Sequence, residues 1–151
     1  MMVIQRAQPN EAEELTGLAF AAKRYWDYPE SWIQSWATEL TISTDEVTQN
    51  PTYKAVVDSV TAGFYWLRIN VPAAELNGLW VKPDAMGKGF GRALFEHAEK
   101  IAQEQGATRL IIVSDPHALG FYQRMGATVY GQQSAAMDAN PRVLSLLDKS
   151  L

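Results

Sequence analysis

Gly87, Gly89 and Gly91 alternate with Lys88 and Phe90 and are followed by Arg92, and it is here that the residue types and spacing of this 151-residue chain point most directly to chemistry. The glycines come after the apolar Leu79-Trp80-Val81 and open a helical pattern, so the segment reads as a buried strand that turns into a helix. The first N–H groups of a helix have no intrahelical partner, and the aligned peptide dipoles add partial positive charge there. Glycine removes the Cβ atoms that would hold a pyrophosphate off the backbone, while Lys88 and Arg92 add side-chain charge beside it. Spacing excludes two commoner phosphate devices. A Walker loop needs Gly-x-x-x-x-Gly-Lys-Ser/Thr, and here Gly89 follows the Gly87-Lys88 pair; a dinucleotide fingerprint needs a third glycine where Arg92 stands. A second segment, Asp115-Pro-His-Ala-Leu-Gly-Phe-Tyr-Gln-Arg-Met-Gly-Ala127, follows the apolar run 110–113 and reads as a loop and short helix closed by Gly126.

Taken together, the two segments resemble the GCN5-related N-acetyltransferase family, whose coenzyme loop has the pattern Gln/Arg-x-x-Gly-x-Gly/Ala and whose later helix carries Ala-x-x-Phe-Tyr-x-x-x-Gly. Met86, Gly89 and Gly91 fall on the first pattern, and Ala118, Phe121, Tyr122 and Gly126 on the second, in the right order. The resemblance covers nearly the whole chain and is strongest over 74–131. It implies acetyl-coenzyme A as cofactor, with the pyrophosphate on Met86, Gly87, Lys88, Gly89, Phe90, Gly91 and Arg92. It places the pantetheine arm along Leu79, Trp80 and Val81 and beside Asp115, Ala118 and Phe121. Met86 departs from the family's Gln or Arg, so that one phosphate contact is either missing or supplied by Lys88; Asp115 stands where many members have Asn. Tyr122 matches the tyrosine that acts as general acid toward the coenzyme sulfur. Glu75 matches the position from which the histone acetyltransferase branch projects a catalytic base. An alkylamine keeps its proton up to about pH 10, so either Glu75 or a water must take it before attack. Asn77 shares the strand face of Glu75 unless a bulge intervenes.

The elements that must hold these residues follow from periodicity. Residues 3–8 form a strand candidate, and Leu15, Leu18, Ala19 and Ala22 recur at helical spacing over 11–23. Pro29 suits the start of a helix running to about residue 40, and 44–51 reads as a further helical turn. From residue 53 the period becomes that of strands, over 53–57, 62–69 and 74–81, with turns short enough for an antiparallel meander. Gly78, inside the third of these, marks a bulge or a close backbone approach. The helix opened by the glycine turn has the apolar stripe Phe90, Leu94, Ala98, Ile101, Ala102 and ends at Gly106. As a crossover, it makes the strands before and after it parallel. Strands at 128–132 and 143–147 complete an α/β (α+β) fold: one domain over 1–151 with a mixed sheet of about six to seven strands and about four helices, and the resemblance implies that the sheet is splayed at its centre.

Composition narrows function without choosing it. The chain has no cysteine and two histidines far apart, so a metal site is not expected. Thirteen basic against 17 acidic residues, net charge −4, argue against a nucleic-acid surface. No apolar run approaches the roughly 20 residues of a membrane span, and the cytoplasm is the expected location. Trp26, Tyr28 and Tyr65 are candidates to wall an acceptor site, since aromatic faces attract ammonium groups. The acceptor left open is a small-molecule or peptide amine. Two other readings stand beside the enzyme: a non-catalytic module sensing acyl-coenzyme A or a metabolite, and a subunit, a homodimer for instance, whose exposed strands mainly build an oligomer interface with the aromatic segment 25–36 as its adhesive surface.

Overall fold

Alternating apolar residues assemble into a seven-stranded sheet in the computed structural model, which describes residues 1–151. The strands are β1 (Met2–Arg6), β2 (Thr52–Val57), β3 (Val60–Asn70), β4 (Ala73–Val81), β5 (Arg109–Ser114), β6 (Thr128–Ser134) and β7 (Val143–Ser150). They lie in the order β1-β2-β3-β4-β5-β7-β6, and every neighbouring pair is antiparallel except β4 and β5. The meander of β2, β3 and β4 and the parallel centre are those the periodicity predicts, and the terminal strands pair with each other before joining β5.

Both faces of β3 are buried, which makes it the spine of the molecule. Tyr65 and Leu67 face a core built with α5 (Phe90–Glu104), through Leu94, Phe95, Ala98 and Ala102. Phe64 and Trp66 face a second core under α1 (Ala12–Arg24), through Leu15, Leu18 and Ala19. The helix predicted over 29–40 is two pieces, α2 (Glu30–Ser35) and α3 (Ala37–Leu40), broken where Trp36 leaves helical geometry at φ −95°, ψ 8°. The break turns the Trp36 ring inward, edge-on to Tyr28 with centroids 5.0 Å apart. A short α4 (Thr44–Gln49) follows, with a reciprocal Ser43–Glu46 cap. With α6 (Leu119–Arg124) the helices number six rather than about four. None is long and apolar enough to cross a membrane.

The centre of the sheet carries two irregularities. Leu67 pairs with Leu76 and Trp66 with Gly78, so Asn77 is an extra residue in β4, a bulge beside the glycine that signals it. Gly78 leaves room there for two indoles, since a Cβ would sit 3.0 Å from the Trp80 Nε1 and 3.2 Å from the Trp66 Nε1 and would oblige them to shift. The bulge means Glu75 and Asn77 do not share a face by simple alternation. Pairing of β4 with β5 ends at Leu76 and Ile112, and beyond that point the two strands part.

Candidate active site

Where β4 and β5 separate, the sheet opens into a cleft of about 600 Å³. Asn77, Gly78, Leu79 and Trp80 line one wall, and Val113, Asp115, Ala118 and Tyr122 the other. Backbone groups of β4 past the bulge pair with β3 on one side and have no strand on the other. The Asn77 amide nitrogen is buried without a hydrogen-bond partner. A ligand with amide groups laid along this edge would satisfy these groups as a strand would.

At the start of α5 the glycine turn is as open as its sequence suggests. Gly89 caps the helix with φ +88°, Gly87 has φ +76°, and nothing lies within 4 Å of where either would carry a Cβ. Met86 N–H reaches the Pro83 carbonyl and Ala93 N–H the Gly89 carbonyl, but the N–H groups of residues 87–92 donate to nothing in the protein. Left-handed glycines in front of free helix N–H groups fit a pyrophosphate, and Lys88 and Arg92 lie exposed beside them. Gly91 works differently from its neighbours. A Cβ there would lie 3.2 Å from the Phe121 ring, so this glycine lets α6 pack on α5 instead of freeing space for phosphate. With the open β4 edge, these features fit the acetyl-coenzyme A that the resemblance implies.

Tyr122 is buried in the cleft wall, and burial pushes its hydroxyl well above the ordinary tyrosine value. Glu75 lies outside the lining: its carboxylate sits 3.9 Å from the Arg68 guanidinium, both side chains about half exposed. Trp26 lines the cleft and stacks on the His117 ring at 4.5 Å, while Tyr28 gives its hydroxyl to Asp115. Tyr65 must be removed from the acceptor candidates. It points into the core under α5, fully buried, its hydroxyl 2.7 Å from His97 Nδ1. Alternation on a strand buried on both faces sends it away from the cleft.

A cluster of charge in the cleft is absent from the expected site. Lys23 Nζ and Arg142 Nη2 each donate to Asp115 Oδ2 at 2.7 Å, and the Tyr28 hydroxyl and His117 N–H also reach this carboxylate. Burial alone would raise the Asp115 carboxyl, but the hydrogen bond and charge of Lys23, then the His117 N–H and Arg142, hold it down at about 2. Burial lowers Lys23, only partly countered by Asp115. Lys23 lies 4.6 Å from the Trp36 ring centre, and so does the Arg142 guanidinium. Asp115, expected beside the pantetheine, is thus tied up within the protein. One signal pointed to Lys23: it falls four residues after Ala19 on the apolar stripe of α1, where a solvated lysine does not belong. Arg142 sits in a polar loop with no such pattern.

The model of the acetyltransferase (GNAT) family matches residues 18–127. The peptidyl-lysine N-acetyltransferase YjaB of Salmonella typhimurium is 29% identical over 135 residues, 87% of each chain. The spermidine N(1)-acetyltransferase of Thermoplasma acidophilum is 29% identical over 125 residues, 72% of this chain and 78% of that one. Among solved structures, the PaiA N-acetyltransferase of T. acidophilum in complex with coenzyme A superposes with TM-score 0.79 at 22% identity, over 100% and 99% of the two chains. The structure of YncA from S. typhimurium with its cofactor acetyl-CoA gives 0.73 at 16% identity, over 99% and 94%.

Proposed function

This chain belongs to the acetyltransferase (GNAT) family and is an acetyl-coenzyme A-dependent acetyltransferase, and from that premise we propose that it acetylates a primary amine of a small molecule or peptide by direct attack. The observation that carries the proposal is the parting of β4 and β5 past Leu76 and Ile112, which opens the cleft and sets Tyr122 in its wall. Relatives named for peptidyl-lysine and spermidine support an amine as acceptor.

When bound, acetyl-coenzyme A supplies the thioester whose acetyl group is transferred. The residues of the glycine turn would hold the phosphates with the free N–H groups of 87–92, and Leu79, Trp80 and Val81 would offer the open strand edge to the pantetheine amides. The same edge can present an N–H to the thioester oxygen. Tyr122 Oη keeps its proton at neutral pH because burial disfavours the phenolate, and it would be the donor of that proton to a departing coenzyme sulfur. Glu75, outside the cleft, leaves the amine proton to water at the cleft mouth.

Calorimetric titration with acetyl-coenzyme A, followed by free-thiol detection as amines are added, tests this reading. Tyr122→Phe should lower kcat by about 10²- to 10³-fold with coenzyme affinity unchanged. Unchanged turnover in that variant would remove Tyr122 from the chemistry, and binding without thiol release from any amine would favour a sensor.

A further inference from the structure

The charge cluster in the cleft does not balance. Lys23 and Arg142 are two cations on one carboxylate, with side chains only 9% and 10% exposed. Asp115 accepts from both, from the Tyr28 hydroxyl and from the His117 N–H, so its acceptor capacity is spent. The cations still have donors in hand: Lys23 directs one hydrogen bond to a side chain, and Arg142 Nε is buried with no partner. Glu39 and Glu46 also line the cleft, but Glu39 is exposed and Glu46 accepts the Ser43 N–H in its helix cap; Arg68 is matched by Glu75. Glu39 is the weakest of the influences on Lys23 and acts from an exposed position, so it offsets the surplus positive charge between Lys23 and Arg142 only in part.

We infer that the acceptor is an amino acid, an amine that also carries a carboxylate, with its anion seated between Arg142 Nε and Lys23 Nζ; this rests on the acetyl-transfer reading above. The walls fit an apolar or aromatic body. Trp26 stacked on His117 flanks the cleft, and a neighbouring hollow of about 450 Å³, which shares His117 and Arg142 with it, is bounded by Tyr28, Trp32 and Leu119. The same surplus opposes a polyamine, which brings further positive charge to buried cations.

Two measurements on the intact protein test it. Thiol release from acetyl-coenzyme A is compared for phenylalanine, phenethylamine and spermidine. A carboxylate meeting two buried cations should favour phenylalanine over phenethylamine by about 30-fold in kcat/KM, the scale of charge-assisted hydrogen bonds, and Arg142→Gln should collapse that ratio. Separately, tryptophan fluorescence with coenzyme A present reports binding of N-acetylphenylalanine against N-acetylphenethylamine by the wild-type protein. This readout needs neither turnover nor a folded variant, and the N-acetyl amino acid should bind at least about tenfold more tightly. Equal turnover of phenethylamine or spermidine would overturn the inference and leave the transferase standing. Tighter binding of N-acetylphenylalanine with no turnover of any amine would uphold the carboxylate site and defeat the transferase reading, and no preference in either measurement would defeat the inference.

Discussion

Replacing Asp115 with Asn removes one negative charge from between two buried cations, and the structure sets the size of the loss. The carboxyl falls from its ordinary 3.8 to about 2, a preference for the charged form worth roughly 2 kcal/mol. The neutral amide also leaves Lys23 and Arg142 facing each other in a pocket where each is about nine-tenths buried, and stranding buried charge costs about 3–5 kcal/mol in comparable pairs. The Asn oxygen still accepts one of the former hydrogen bonds, so Asp115→Asn is expected to cost about 3 kcal/mol, a large part of the roughly 5–15 kcal/mol that holds a domain of this kind. Urea unfolding followed by tryptophan fluorescence measures this directly. The pH dependence supplies a second signature. Because the folded value lies below the unfolded one, the stabilisation is present in full above about pH 4 and is lost as pH falls toward 2. Glu11 and Glu30 are lowered as well, by Lys54 and Arg24, so the wild-type curve contains their share; the difference between wild type and Asp115→Asn isolates Asp115. A loss under about 1 kcal/mol, or parallel curves between pH 4 and 2, would refute a charge-holding role for Asp115.

Gly89→Ala should lose about 1–2 kcal/mol of stability from its left-handed backbone, and coenzyme binding measured by calorimetry should weaken roughly tenfold as the turn distorts. Gly91→Ala should instead cost about 1–3 kcal/mol by pushing on Phe121, read as a lower urea midpoint, with coenzyme affinity close to wild type. Glu75→Gln should leave kcat within about twofold and stability within about 0.5 kcal/mol, since it removes only an exposed 3.9 Å ion pair; a hundredfold drop in kcat would make Glu75 the base.

Local chemistry was legible in the sequence and long-range charge was not. The glycine turn, α5 and the β2-β3-β4 meander depend on neighbours a few residues away, so periodicity and turn residues found them, down to the irregularity beside Gly78. Gly91 looked like part of the phosphate turn because its packing partner, Phe121, is 30 residues on. The split at Trp36 is a tertiary effect: a residue of ordinary helical promise leaves the helix to bury its ring beside Tyr28. Tyr65 was misplaced because β3 is buried on both faces, and alternation alone does not say which face meets the cleft. The Lys23–Asp115–Arg142 cluster joins residues 92 and 27 positions apart. Only a lysine on an apolar stripe hinted that a partner existed.

The extra residue in β4 also bears on how this strand tolerates insertion and deletion. With Asn77 removed, Leu76 would still oppose Leu67 and Gly78 would still oppose Trp66, so every side chain would keep its face and the ladder would become regular. The fold, then, carries a residue that its own architecture does not require. Selection for stability alone would favour its loss, since deleting Asn77 removes a buried side-chain amide that has no partner. Its retention in a lineage would be a record of selection for the cleft, and its loss would mark descendants that kept the shape of the ancestor while giving up its trade.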